Sequence, residues 1–214
     1  MALQQNPVPG PGPRRRGAQF VTALQTNKPD VTVVLMFSVS MVAAQAAEEG
    51  GDRTSLQYAL IPAFVNGMLD SAGPGVRIVD GNEGGYYYRT PRDYANAADW
   101  IRDQGASLID SKHRGRYQRD AVGAAVSPDC VFGVWTGPNF QVCEPGELST
   151  TDRRILLEQN VHAALRNADD VVWLYNENFD LVGPNLTGLA QENVPAGLDR
   201  QAVLDAITAA RNTP

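Results

Sequence analysis

Short apolar runs alternate along this chain with stretches whose apolar residues recur every third or fourth position. The runs are rich in β-branched residues, which pack well on a pleated surface. The spaced stretches have the period of a helix with one buried face. Val31 to Ser38 (VTVVLMFS) predicts a buried strand. In Ser55 to Ala72, Leu56, Leu60, Phe64 and Met68 recur every four residues and predict a helix, with Asp52 or Thr54 as N-cap. Gly73-Pro74-Gly75 stops it, and Val76 to Asp80 (VRIVD) predicts a second strand. A polar loop then leads to a long helix from Pro91 to Lys112, with proline in its first turn. Ala121 to Val126 (AVGAAV) reads as a third strand, whose small residues suit a crowded interior. Pro128 to Ser149 reads as a long loop, with a short strand at Val131 to Trp135 as its one regular piece. A helix capped by Thr150 or Thr151 runs to Asn167, and Ile155, Gln159, His162 and Leu165 mark its spacing. Val171 to Tyr175 (VVWLY) predicts a fourth strand. Asp199 to Arg211 predicts a closing helix with Val203, Ile207 and Ala210 inward.

Upstream, Arg14 to Thr26 reads as a helix that ends before Lys28-Pro29, because the residue before a proline avoids the α region. Met1 to Pro13 holds four prolines and two glycines and little apolar content, so it reads as a disordered tail ahead of one domain over residues 14–214. Strands alternating with helices imply parallel β-α-β units with right-handed crossovers. An open doubly wound sheet and part of a closed barrel both satisfy that order. No G-x-G-x-x-G or G-x-x-x-x-G-K-[ST] turn occurs, which argues against nucleotide binding.

Charge narrows the partners. The net charge of −6 repels phosphate backbones and makes nucleic acid a poor partner. Arg14-Arg15-Arg16 followed by the apolar run Val31 to Ala44 imitates a secretion signal; the run begins late in the chain and is too short to span a bilayer, so a buried strand is expected, with a displaced secretion signal as the alternative. A soluble, non-membrane protein is expected, and its compartment stays open. Cys130 and Cys143 do not make a disulfide framework; two unrelated thiols and a single bridge are both compatible with their spacing. With His113 and His162 as the only histidines, no metal-ligand spacing exists.

In β/α proteins ligands bind at the carboxyl ends of the strands. The residues placed there are acids, amides and aromatics. Asp80, Glu83, Tyr86, Tyr87 and Tyr88 follow the second strand, Asp129 and Trp135 the third, and Asn176 and Glu177 the fourth. Trp173, Tyr175 and Glu177 alternate and so share a face. Glycosidic cleavage needs two carboxyl groups, one to protonate the leaving oxygen and one to attack the anomeric carbon or activate water. Aromatic faces stack on sugar rings and amides bind their hydroxyls. The candidate acids are Glu177, Asp80 and Glu83. The candidate substrate-binding residues are Tyr86, Tyr87, Trp135, Trp173, Tyr175 and Asn176. The competing reading is that such acids cap helices or face water. The basic run Lys112 to Arg119 reads as a solvated face, and neither histidine is assigned chemistry.

The series LIPAFVNGML, VRIVDGNEGGYYYRTPRDY and VVWLYNENF resembles a group of bacterial glycoside-hydrolase-like (β/α)8-barrel proteins, over Arg16 to Phe179. In those proteins strands ending in D-G-x-E and W-x-Y-x-E line the sugar cleft. Asp80, Gly81 and Glu83, and Trp173, Tyr175 and Glu177, stand at the matching positions. The resemblance implies an α/β fold of four parallel β/α units, like the C-terminal half of a TIM barrel. It implies an oligosaccharide or polysaccharide as substrate, and no metal or organic cofactor. A half-barrel has open sheet edges, so a second copy or a separate chain completing the barrel is a further expectation. A non-catalytic carbohydrate-binding remnant and a half-barrel scaffold are the competing functions.

Overall fold

The computed structural model describes residues 11–52, 56–133, 148–177, 181 and 196–213. It is a mixed α/β protein with two short parallel two-stranded sheets. Its elements are α1 (Pro11–Gln25), β1 (Thr32–Leu35), α2 (Val39–Glu48), α3 (Ile61–Ser71), β2 (Arg77–Asp80), a 3-10 turn (Glu83–Tyr87), α4 (Pro91–Trp100), a π turn (Ile101–Gly105), α5 (Ser111–Asp120), β3 (Gly123–Val126), α6 (Pro128–Phe132), α7 (Thr150–Asn167), β4 (Val171–Leu174) and α8 (Arg200–Asn212). The chain divides into two compact units. The first comprises residues 1–82, 97–123 and 169–171, and the second 83–96, 124–168 and 172–214.

In the first unit β1 and β2 run parallel, with Leu35 opposite Asp80. Asp80 also forms a single parallel bridge to Val122. The expected run of four paired strands is therefore corrected to two pairs, β1 with β2 and β3 with β4. Each strand is only four residues long, and the contact past β2 is one bridge rather than a ladder. No barrel closes among the described residues. The core of this unit gathers Val21, Val39, Val65, Met68, Ile78, Ile101 and Tyr117. Helices α1 and α3 approach closely because Gly17 and Gly67 carry no side chain: a Cβ on Gly67 would overlap the Arg14 carbonyl, and one on Gly17 the Phe64 carbonyl.

Several helix boundaries differ from the sequence pattern, each for a physical reason. Helix α1 begins at Pro11, three residues before Arg14, because prolines fit a first helical turn. The apolar run after Val31 is a four-residue strand followed by helix α2, whose N-cap is Ser38. The helix expected from Ser55 starts only at Ile61. Pro62 has no N–H to continue the ladder backward, and Leu60 is left exposed. The long helix expected from Pro91 to Lys112 breaks after the π turn. Asn66 of α3 receives the freed backbone groups: its amide donates to Leu108 O (3.0 Å) and accepts from the Asp110 N–H (2.8 Å).

The basic run is not simply a solvated face. It forms α5 with Tyr117 buried. The Arg116 guanidinium donates to the carbonyls of Ala72, Gly73 and Val76, closing the C-terminal end of α3. Lys112, His113 and Arg14 converge on Asp70 at 2.6–2.9 Å. The guanidinium of Arg14 holds the Asp70 carboxyl well below the usual carboxylate range.

The second unit packs β3 and β4 against α7 and α8 around Val131, Phe132, Leu157, Val161, Leu198 and Val203. Helix α7 starts with a reciprocal capping box between Ser149 and Asp152. Its buried face is Leu156, Leu157, Asn160, Val161, Ala163 and Ala164. The expected stripe through Ile155 and Leu165 is corrected, since both are exposed. An apolar arc this wide lets packing, not spacing, choose the inward face. Val131 to Phe132 is helical rather than extended, because Ser127 caps α6 by accepting the Cys130 N–H and Pro128 supplies its first turn. The small residues of β3 have a local reason as well. A Cβ on Gly85 would overlap the Ala125 carbonyl, so the 3-10 turn lies directly on the strand.

Candidate functional site

Each unit holds one acid-bearing cluster at its strand ends. In the first unit Asp80 closes β2, and it is 1% exposed. One carboxylate oxygen accepts the Ser40 N–H (3.2 Å) and, more weakly, the Tyr117 hydroxyl (3.4 Å). The other accepts the Asn82 N–H (3.2 Å). The hydroxyls of Ser40 and Ser38 also favour the ionised form. Burial outweighs these bonds and pushes the Asp80 carboxyl up. Asn82, at φ 49°, turns the chain away in the left-handed region that asparagine tolerates. Asp80 therefore joins the β1–α2 connection to the end of β2 and presents no open lone pair to solvent.

The second unit collects the remaining acids around an aromatic stack. Tyr86, in the 3-10 turn, is buried. Its ring stacks on Tyr175 (centroids 5.0 Å, 29°) and meets Trp173 edge-on (5.5 Å, 73°). Trp173 and Tyr175 thus meet the same ring, as alternation along β4 requires. Tyr87 lies edge-on beside Tyr86 at 6.2 Å and is exposed, while Tyr88 packs edge-on against Tyr94. Tyr94 is fully buried, with its hydroxyl between the carbonyls of Gly85 (3.4 Å) and Ala125 (3.5 Å).

Two carboxylates act on this stack. Glu83 is half-buried, and desolvation raises its carboxyl above the ordinary value, with the Tyr86 phenol opposing the shift. Glu177 accepts a short hydrogen bond from the Tyr175 hydroxyl. That bond and burial, with the negative field of Glu177, Asp129 and Glu83, push the Tyr175 phenol up to about 12. The Glu177 side chain is exposed, but its backbone is held: its N–H donates to Asp129 Oδ2 at 2.6 Å. Asp129 is wholly buried in the first turn of α6. The neighbouring Cys130 is disulfide-bonded and packs with Tyr86, Trp173 and Tyr175, so the reading of two unrelated thiols is corrected for this residue. Cys143 lies outside the described residues.

Of the expected site residues, Glu83, Glu177, Tyr86, Tyr87, Trp173 and Tyr175 come together in the second unit, and Asn176 is half-buried between Tyr175 and Glu177 in the chain. Asp80 belongs to the first unit and has its own set of partners. Trp135 lies outside the described residues. The sequence reading left Asp129 without a role. Its signal was Ser127-Pro128-Asp129, a helix-start pattern of N-cap, proline and first-turn acid that the loop assignment hid. Among the described residues no group of three or more His, Cys, Asp and Glu is arranged to hold a metal ion, and no helix is long and apolar enough to cross a membrane. No known family model, curated protein or solved structure matches the chain.

Proposed function

We propose that this chain is a glycoside-hydrolase-like protein whose site lies in the second unit, with Glu83 and Glu177 as its carboxyl pair. One observation carries the reading. Two acids act on one pair of stacked tyrosines: Glu177 accepts a hydrogen bond from the Tyr175 hydroxyl, and the charge of Glu83 acts on both phenols. Glu83, raised by desolvation, suits the proton donor. Glu177, exposed with its backbone fixed by Asp129, suits the nucleophile or the base that activates water. Tyr87, Trp173 and Tyr175 supply aromatic surface for an oligosaccharide. Asp80 is assigned the positioning of the β1–α2 connection. Alternating parallel strands and helices support a relation to one half of a (β/α)8 barrel. The chemistry requires no metal or organic cofactor.

Two other readings have an observation each. The exposed ring of Tyr87 beside the stack supports a carbohydrate-binding protein without catalysis. Exposed Met36, Phe37 and Leu60 in the first unit favour a scaffold that pairs with a second chain.

Hydrolysis of a panel of α- and β-linked oligosaccharides by the purified chain, beside Glu177→Gln, tests the proposal. The expected result is cleavage of at least one substrate and a loss of about 10²–10⁴-fold in the variant. Binding without cleavage supports the non-catalytic reading. Neither, from a folded sample, removes the sugar reading, and a dimer on a sizing column then points to the scaffold.

A further inference from the structure

The segment that carries Glu177 places a second reactive group beside it. Tyr175 directly follows β4, and its N–H donates to the Val126 carbonyl (3.0 Å), which continues the pairing of β4 with β3. Tyr175 and Glu177 alternate and so share a face. The Tyr175 hydroxyl donates a short hydrogen bond to Glu177 Oε1.

The phenol oxygen is the better fixed of the two groups. The Tyr175 backbone is tied to β3, its ring stacks on Tyr86 (5.0 Å, 29°), and it packs against the cluster of Tyr86 and Cys130. A tyrosine has few torsions to fix, whereas the Glu177 carboxyl hangs on a longer, exposed side chain. An attacking atom must be held close to its target geometry, because a small displacement costs rate. The phenol also has a base at hand, since the carboxylate that accepts its hydrogen bond is placed to take its proton. That base is itself anchored. The Glu177 N–H donates to Asp129 Oδ2 at 2.6 Å, and Asp129 is wholly buried at the start of α6. A nucleophile, a base within hydrogen-bond reach and a third group that orients the base form the arrangement that covalent catalysis uses. The bond to Glu177 and burial push the phenol up to about 12, so it is protonated at neutral pH and attacks only with a base. The competing role, a tyrosine that only orients a nucleophilic Glu177, gives the attack to the less constrained group.

We propose that Tyr175 is the nucleophile of this site and Glu177 its base. This rests on the assignment of the Glu83–Glu177 pair to glycoside hydrolysis. In the first step the phenol oxygen bonds to the anomeric carbon as the glycosidic C–O bond breaks. The phenol proton passes to Glu177, and the Glu83 carboxyl protonates the departing oxygen. The intermediate is an aryl glycoside of Tyr175. In the second step water attacks the same carbon and gives a proton to the Glu83 carboxylate. The phenol leaves and takes its proton back from Glu177. Two displacements at one carbon retain its configuration.

The test uses the full chain and an oligosaccharide of the α- and β-linked panel that it cleaves. Proton NMR reads the anomer released first. The 2-deoxy-2-fluoroglycosyl fluoride of the same sugar slows the second step, and peptide mass spectrometry locates the trapped sugar. The expected result is retention, with the sugar on Tyr175. Tyr175→Phe keeps the stacked ring and should lower turnover by about 10⁴-fold or more, the size of a lost nucleophile. Glu177→Gln should slow trapping while the sugar still lands on Tyr175. Release of the inverted anomer, a sugar trapped on Glu177, or turnover of Tyr175→Phe within about tenfold of the parent each overturns the nucleophile and leaves the carboxyl pair standing. Cleavage of nothing in the panel overturns both.

Discussion

The two units each end a strand with an acid, yet they use it in opposite ways. Asp80 in the first is sealed in, its two oxygens held by the N–H groups of Ser40 and Asn82 and by nearby hydroxyls. Glu177 in the second keeps its side chain exposed, and a different acid, Asp129, takes over the holding of its backbone. A carboxylate at the end of a strand is thus a candidate for chemistry only when another group has relieved it of organising the loop. Glu83 sits between these extremes: half-buried near one phenol, it retains a protonation equilibrium displaced by desolvation toward the acid form.

The largest expected effect is on turnover. Glu83→Gln should lower hydrolysis by about 10²–10⁴-fold, as loss of a general acid does, with thermal unfolding unchanged. A mere structural acid would show the reverse pattern. The next is on packing. Gly85→Ala pushes a methyl group into the Ala125 carbonyl. It should destabilise the second unit by about 1–3 kcal/mol, read by chemical denaturation, and it should move the adjoining Tyr86 ring. Gly115→Ala, on a helix with open space around it, is the control and should be neutral or slightly stabilising.

A smaller effect sharpens the role of the phenol. The Tyr86 hydroxyl favours the ionised form of Glu83 and so lowers its pKa. Tyr86→Phe removes that hydroxyl, and the Glu83 pKa should rise further. The basic limb of the rate–pH profile should shift to higher pH by a fraction of a unit. A shift to lower pH would mean that another group is the acid. Stability should also differ between the units in its pH response. Asp70 has a lowered carboxyl pKa in the folded state, so its ion pairs with Arg14, Lys112 and His113 contribute above the unfolded carboxylate value and are lost as pH falls through the folded one. Asp70→Asn should therefore flatten the acid side of the unfolding curve. The effect should stay at or below about 1 kcal/mol, because the cluster is partly solvent-screened.

How far the sequence predicts all this differs along the chain. The four strand positions were readable because β-branched runs such as VTVVL and VVWLY have few other uses. The alternation Trp173, Tyr175, Glu177 was readable for the same reason, being set by the strand's period of two. What resisted reading depended on distant partners. Asn66 ends the helix before Asp110 from another element, and nothing near Leu108 announces it. Arg116 serves the carbonyls of Ala72, Gly73 and Val76, so a sequence run that looks solvated is partly structural. Asp80 and Glu83 are three positions apart and look alike on paper. Only their burial and partners separate the loop organiser from the candidate acid.

The most direct test of that separation is Asp80→Asn, assayed for oligosaccharide hydrolysis and for unfolding in the same preparation. Burial raises the folded-state pKa of Asp80, so its charged form weakens the fold as pH rises through that value. The neutral amide keeps one acceptor for the Ser40 or Asn82 N–H and removes the buried charge. We predict hydrolysis within about threefold of the parent and stability within about 1 kcal/mol at neutral pH, the size of one exchanged hydrogen bond. A folded variant that loses hydrolysis by about 10²-fold or more, the size expected of a lost proton-transfer group, would contradict the account and move the catalytic acid to Asp80.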